Sequence, residues 1–174
     1  MNNKIVLLAK KAYELLAKGG DLFSNVLLLI FRLNWGLQFF HNGIGKLSNH
    51  KDIVDFFTEL GIPLPDLNAW MVGGTELVGG ALLVLGLASR PIALALVVMM
   101  TVAYASVKDD RNTFLNIFSP GGFWDFFEKQ TDFLQADPFF FLLTALIVFA
   151  FGPGKISIDY LLGRYVFNKG KTPE

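Results

Sequence analysis

Two charged residues lie inside long apolar stretches of the sequence. Arg32 interrupts LLLIFRLNWGL, and Glu76 interrupts MVGGTELVGGALLVL. A carboxylate can accept or carry a proton and a guanidinium can polarise an oxygen atom, so these two residues are the candidates for catalysis. Because a lone charge inside a bilayer is costly, we predict an ion pair between them. The alternative interpretation is a lock that only holds two helices together.

A second set of polar residues follows a single helical face. Spacings of four, three and four residues place on it Asn34, Gln38, His41 and Gly45. Near its C-terminal end, four residues form a candidate ligand-binding cluster for a polar head group or a quinone carbonyl. They are His41, Asn42, Lys46 and Tyr104, with Lys108 beside them. The alternative is that these side chains only mark the boundary between membrane and water, where His, Tyr and Lys are common.

Other kinds of chemistry have little support in the composition. The chain has no cysteine, which excludes thiolate nucleophiles and thiolate metal sites, and its two histidines are His41 and His50. His50 lies in the charged segment HKDIVDF and is expected to be solvated outside the membrane, so we predict no metal site and no bis-histidine haem. The formal net charge is zero, and a nucleic-acid partner is therefore not expected.

The composition predicts a membrane protein that is entirely α-helical. Of the 174 residues, 53% are hydrophobic and 14% aromatic, and the mean hydropathy is +0.47, too apolar for one soluble core of this size. Apolar runs near the length of a bilayer-spanning helix predict spans at about 22–41, 66–87, 91–107 and 138–152. Residues 4–18 predict a separate amphipathic helix on the membrane surface, and the alternative is a soluble helix packed on the bundle. The expected architecture is a single domain, 1–174, folded as an integral four-helix bundle.

The charges outside these spans predict the orientation in the membrane. Basic residues precede the first predicted span, lie between the second and third spans, and follow the fourth. They are Lys4, Lys10, Lys11, Lys18, Arg90, Lys155, Arg164, Lys169 and Lys171. Acidic residues are in excess in the other two connections: Asp52, Asp55, Glu59, Asp66, Asp109, Asp110, Asp125, Glu128, Asp132 and Asp137. By the positive-inside rule, both termini are cytoplasmic and the two acidic loops face outward.

An ordered set of motifs resembles the DoxX family of small four-helix bacterial membrane proteins. The motifs run over about residues 25–164 and comprise Arg32 with Gly43 and Lys46, the LGIP link, Glu76 with Gly79 and Gly80, the turn Gly86, Leu87, Ser89 and Arg90, and GPGKISID from Gly152 to Asp159. The resemblance implies a multi-pass protein of the bacterial inner membrane. Some members of the family look like small subunits of quinone-linked sulfur oxidation, and others accompany responses to quinone or oxidative stress.

Several functions are compatible with these patterns. The first is an accessory subunit of a quinone-linked redox or stress-response system, with a bound quinone and a protein partner in the bilayer. The second is a membrane anchor or assembly factor that performs no chemistry. The third is a small-solute transporter in which Glu76 carries protons, although four short helices leave little room for a pore in a monomer. Fold resemblance alone does not choose among these functions.

Overall fold

The computed structural model describes residues 3–108, 111–112, 115, 119–122, 124, 134 and 136–167. Its helices are α1 (Asn3–Ser48), α2 (His50–Glu59), α3 (Pro65–Leu85), α4 (Ser89–Ser106), α5 (Pro138–Phe151) and α6 (Ile158–Leu162), and a π-helical segment, Gly163–Phe167, follows α6. These described ranges contain no strand, which confirms the predicted all-α class.

Proline and glycine set the ends of the apolar helices. Pro65 and Pro138 occupy the first turns of α3 and α5, where the missing N–H of proline leaves no helical hydrogen bond unmade. Gly86 ends α3 in the left-handed region at φ +65°, and Gly152 ends α5 at φ +78°. The observed helices α3, α4 and α5 therefore begin and end within two residues of the bounds predicted from the sequence.

The N-terminal region differs from its prediction. The expected surface helix over 4–18 is not a separate element, because α1 continues without a break through Gly19 and Gly20 to Ser48. Residues 6–24 are all exposed. Glycine weakens a helix interior by about 1 kcal/mol per residue, but it does not stop one, and the sequence before Ser48 contains no proline. The prediction of a separate amphipathic helix was wrong.

Four of the helices pack side by side. The helix α1 lies against α3 and α5, and α4 lies against the same two helices. Each contributes to a shared core: Phe39, Leu83, Ala93, Leu96, Met100, Tyr104, Leu142, Ala145 and Val148. Aromatic contacts join α1 to α5, where Trp35 stacks on Phe140 at 5.3 Å between ring centroids. This arrangement holds α1 and α3 in the register that decides which of their charges meet.

Much of the apolar surface of these helices points away from the core. Both α3 and α4 are long and apolar enough to cross a membrane, yet only 33% and 28% of their most apolar stretches are buried. Such exposed apolar faces are typical of contact with lipid or with another protein. The helix α5 is apolar but shorter, at 14 residues. Spans within α1 and α5, and hence the four-helix membrane bundle, stay predictions.

Part of the charge pattern lies outside the described residues. This applies to Asp109, Asp110, Asp125, Glu128, Asp132, Lys169 and Lys171.

Candidate functional site

Two pairs of glycines bring α1 and α3 into backbone contact. A Cβ atom at Gly80 would lie 2.6 Å from the Gly36 carbonyl oxygen, and one at Gly43 would lie 2.8 Å from the Gly73 carbonyl oxygen. No side chain fits between the helices at these points, as is common where membrane helices pack closely. The contacts fix the register: Gly36 lies level with Gly80, and Gly43 lies level with Gly73.

This register places Lys46 beside Glu76. The Nζ atom of Lys46 donates to Oε1 of Glu76 and forms an ion pair between α1 and α3. The two partners differ in exposure, since the Lys46 side chain is 29% exposed and that of Glu76 is 3% exposed. The ammonium group can therefore reach a more polar environment, whereas the carboxylate is held inside the protein.

Lys46 contacts only one of the two carboxylate oxygens of Glu76. Its second oxygen, Oε2, is buried and has no hydrogen-bond partner among the residues that the structure describes. A buried carboxylate oxygen without a partner is unfavourable, and such a group can accept a hydrogen bond or a proton from a bound molecule. Together, Lys46, in the last turn of α1, and Glu76 present one hydrogen-bond donor and one acceptor that has no described partner.

Arg32 does not belong to this pair. Its Nη1 atom donates to the Pro153 carbonyl oxygen at 2.5 Å, and Nη2 donates to the Ile156 carbonyl oxygen at 2.7 Å. The guanidinium lies against Gly86, ten residues along α3 from Glu76 or about 15 Å by helical rise. The predicted ion pair between Arg32 and Glu76 was wrong, because equal depth had been assumed for the two residues.

Arg32 instead belongs to a structural clasp, defined here as Arg32, Gly86, Ser157 and Asp159. The Asp159 carboxylate accepts from the backbone N–H groups of Ala88 and Ser89, each at 2.8 Å, and its own N–H donates to the Gly86 carbonyl oxygen at 2.9 Å. A Cβ atom at Gly86 would lie 2.5 Å from Nη1 of Arg32. The clasp ties the segment after α5 to the turn between α3 and α4.

Asp159 was not among the predicted site residues, although it ends the GPGKISID motif. The available signal was the two polar residues Ser157 and Asp159, which follow the glycine-containing turn 152–154 by a few residues, a pattern typical of backbone capping.

The other predicted ligand-binding residues lie in different environments. His41 and Asn42 are on the exposed face of α1, whereas Tyr104 is fully buried in the core to which α1, α3, α4 and α5 all contribute. Lys46 is engaged by Glu76, and Lys108 is exposed. The structure thus joins Lys46 to a predicted catalytic candidate, and ligand binding by the set stays a prediction.

A histidine near the same end of the helices was expected to be solvated and is not. The Nε2 atom of His50 lies 2.9 Å from Oδ1 of Asp66, and its ring stacks on Trp70 at 4.3 Å between centroids. The contact joins the start of α2 to the start of α3, so it braces the loop that follows Lys46.

Comparison with known proteins gives a family and two relatives. Residues 27–109 match the DoxX family. An uncharacterised protein of Haemophilus influenzae is 27% identical over 143 residues, which are 80% of this chain and 85% of that protein. The Bacillus subtilis (strain 168) protein named "Putative oxidoreductase CatD" is 31% identical over 80 residues, 46% of this chain and 58% of CatD. No solved structure matches the chain. The matched family region contains Arg32, Lys46 and Glu76.

Proposed function

The chain belongs to the DoxX family, and from that premise we propose that it is an accessory subunit of a quinone-linked redox or stress-response system in the bacterial inner membrane. The family is associated with membranes, and α3 and α4 are each long and apolar enough to cross one. The relative named "Putative oxidoreductase CatD" is similar to this chain over 58% of its own length. This similarity supports a role in redox chemistry. The proposed topology has four spans and cytoplasmic termini.

The observation that carries this proposal is the buried oxygen Oε2 of Glu76, for which the described part of the chain supplies no partner. A carboxylate is stable inside a membrane protein when both of its oxygens have partners, and here Lys46 engages Oε1 alone. A bound molecule that donates a hydrogen bond to Oε2 would complete the set. A quinol hydroxyl has this property, and its apolar ring and tail suit a site between membrane helices.

Lys46 and Glu76 have complementary roles in this proposal. Lys46 donates a hydrogen bond to a quinone carbonyl oxygen, which orients the head group and favours negative charge on that oxygen. Glu76 accepts a hydrogen bond from the hydroxyl of the reduced form and can take its proton. The quinone supplies the two-electron chemistry, and the electrons pass to or from a partner subunit.

The test is to measure the quinone that remains with the protein after gentle extraction from its native membrane. Lipid extracts of purified wild type, Glu76→Gln and Lys46→Met are analysed by mass spectrometry, and quinone is expressed per mole of protein. We expect retention near one per chain in wild type and about tenfold less in each variant, since one charged hydrogen bond contributes roughly 1.5–3 kcal/mol.

Exposed residues of the same types provide matched controls. Glu59→Gln and Lys51→Met change surface side chains on α2 and should retain quinone as wild type does. Wild-type protein without quinone, or equal retention in Glu76→Gln and wild type, would contradict the proposed site.

A specific observation also favours the second function, a membrane anchor or assembly factor. Arg32 and Glu76 each contact a group within the chain, so both charges have structural explanations. The double variant Lys46→Met/Glu76→Leu separates the two functions, because it removes the charges as a pair. On the anchor interpretation it folds and still retains its partner protein. On the redox interpretation it folds but loses the retained quinone.

A further inference from the structure

The outward face of α1 carries polar side chains that have no partner among the described residues. Asn34, Gln38 and His41 are exposed. Within the described part of the chain, no hydrogen bond joins their side chains to another group. They are the line noted in the sequence, which ends at Gly45, where a Cβ atom would meet nothing within 4 Å. We define this line, Asn34, Gln38, His41 and Gly45, as the polar seam.

The polar seam runs along a stretch of α1 that packs against α3, a helix long and apolar enough to cross a membrane. Gly36 contacts Gly80 and Val84, and Gly43 contacts Gly73 and Leu77, so the stretch of α1 between them runs beside the middle of α3. Residues 34–41 therefore share the depth of an apolar, membrane-capable helix. Polar side chains that face hydrocarbon without a partner are unfavourable, and membrane proteins pair them.

Other polar side chains on these helices form hydrogen bonds to the backbone of their own helix. On α4, Thr101 and Ser106 each donate to a carbonyl oxygen one turn earlier at 2.8 Å. On α1 itself, Asn25 donates to the Asp21 carbonyl oxygen at 2.6 Å. Asn34 and Gln38 form no such hydrogen bond to the described backbone, so their amides are available to a group outside the chain.

The chemistry of the polar seam selects its partner. We propose that it is the interface of a parallel homodimer, in which each amide hydrogen-bonds to the same amide of a second copy. Copies inserted with one orientation are related by a twofold axis along the membrane normal, which brings each residue to its own counterpart at equal depth. A carboxamide has both donors and an acceptor and can pair with itself, whereas a lysine or a glutamate would meet a like charge.

The spacing of the polar seam supports the same geometry. Steps of four, three and four residues follow the a and d positions of a heptad, the pattern of two helices that wrap around each other. A single asparagine at such a position is known to fix parallel register by pairing with its own copy. The inference goes beyond the proposed redox role and requires only that the chain spans the membrane.

The absence of cysteine from the chain permits a direct test. Ser48 is exposed and lies three residues beyond Gly45, at the next position of the polar seam. Oxidation of Ser48→Cys in native membranes should give a disulfide-linked species of twice the 19.3 kDa chain mass. Leu67→Cys, exposed at the corresponding end of α3, serves as the matched control and should give little of it.

Replacement of the amides tests whether they cause the association. In the Ser48→Cys background, Asn34→Leu/Gln38→Leu should lower the cross-linked product about tenfold, the effect of 1–2 kcal/mol from interhelical polar contacts. Thr101→Val removes an exposed hydroxyl on α4 that already donates to a carbonyl oxygen of its own helix. This variant should leave the amount of cross-linked product unchanged. Tryptophan fluorescence during unfolding checks that each variant is folded.

Native mass spectrometry of the wild type provides an independent measurement and should show two chains. Monomer alone, or no more product from Ser48→Cys than from Leu67→Cys, would overturn the homodimer. So would cross-linking that is insensitive to loss of both amides. If the product contains a different polypeptide, the polar seam binds a partner subunit and the proposal of a second copy is wrong.

Discussion

The ion pair between Lys46 and Glu76 is asymmetric, and its two members should respond differently to mutation. Lys46→Met removes the one hydrogen-bond partner that the described residues provide to the Glu76 carboxylate, which is 3% exposed. It should lower the free energy of unfolding by about 3 kcal/mol. Glu76→Gln keeps an oxygen acceptor for Lys46, whose side chain is 29% exposed and can be hydrated, and should cost about 1 kcal/mol. Denaturant unfolding in detergent, followed by tryptophan fluorescence, measures both.

The double variant Lys46→Met/Glu76→Leu completes the cycle. Because it leaves no uncompensated charge, its unfolding free energy should lie within about 1 kcal/mol of wild type. Equal destabilisation by the two single variants would show that Glu76 is not the more strongly buried partner.

Arg32 shows how a residue that looks catalytic can have a structural role. It donates to two backbone carbonyl oxygens that follow α5 and lies against Gly86. Nearby, Ala88 is left-handed at φ +47°, a conformation that costs a non-glycine residue about 1 kcal/mol or more. The Asp159 carboxylate offsets this cost by accepting from the N–H groups of Ala88 and Ser89. The clasp therefore stabilises a turn that hydropathy alone does not reveal.

The contact between α1 and α3 depends on glycine at specific positions. A Cβ atom at Gly80 would lie 2.6 Å from the Gly36 carbonyl oxygen and 2.9 Å from Cα of Phe40, and backbone cannot move aside as a side chain can. Gly80→Ala should therefore destabilise the protein by about 2 kcal/mol. The same unfolding measurement checks this value.

Gly74 provides a control on the same helix. A Cβ atom there would meet nothing within 4 Å, so Gly74→Ala should be neutral or should stabilise the helix by up to about 1 kcal/mol. If the two variants were equally stable, close packing of α1 on α3 would not be what the glycines provide.

Sequence alone predicted the helices better than their register. Apolar runs bounded by Pro65, Gly86, Pro138 and Gly152 gave three helices close to their observed ends. The relative depth of Arg32 and Glu76 was wrong, because it was taken from the midpoints of assumed spans. Hydropathy is summed over a whole segment, so its value changes little when a helix is displaced along its neighbour by one or two turns. Backbone contacts at Gly36 and Gly43 set the register, and these contacts depend on the structure of both helices.

The site was likewise only partly predictable. Lys46 and Glu76 were both identified as candidates, Lys46 for ligand binding and Glu76 for catalysis, but in separate groups. Their pairing needs the antiparallel register that places Gly43 level with Gly73. Tyr104 was expected in the ligand-binding cluster with His41 and Asn42 and is instead buried in the core shared by α1, α3, α4 and α5. Periodicity predicts which residues share a face of one helix, and tertiary packing decides which faces meet.

For the chain as a whole, the charge distribution predicts an orientation that single cysteines can measure. Lys10 is exposed in the N-terminal part of α1, and Lys51 is exposed at the start of α2, on opposite sides of the proposed first span. With no native cysteine, Lys10→Cys and Lys51→Cys each carry one thiol.

In intact cells a membrane-impermeant maleimide should label Lys51→Cys, because the acidic connection after the first span faces outward. Lys10→Cys should be labelled only after the cells are lysed. The reverse pattern would place the termini outside and move the Lys46–Glu76 pair to the cytoplasmic half of the membrane, whereas labelling of both in intact cells would show that α1 does not cross it.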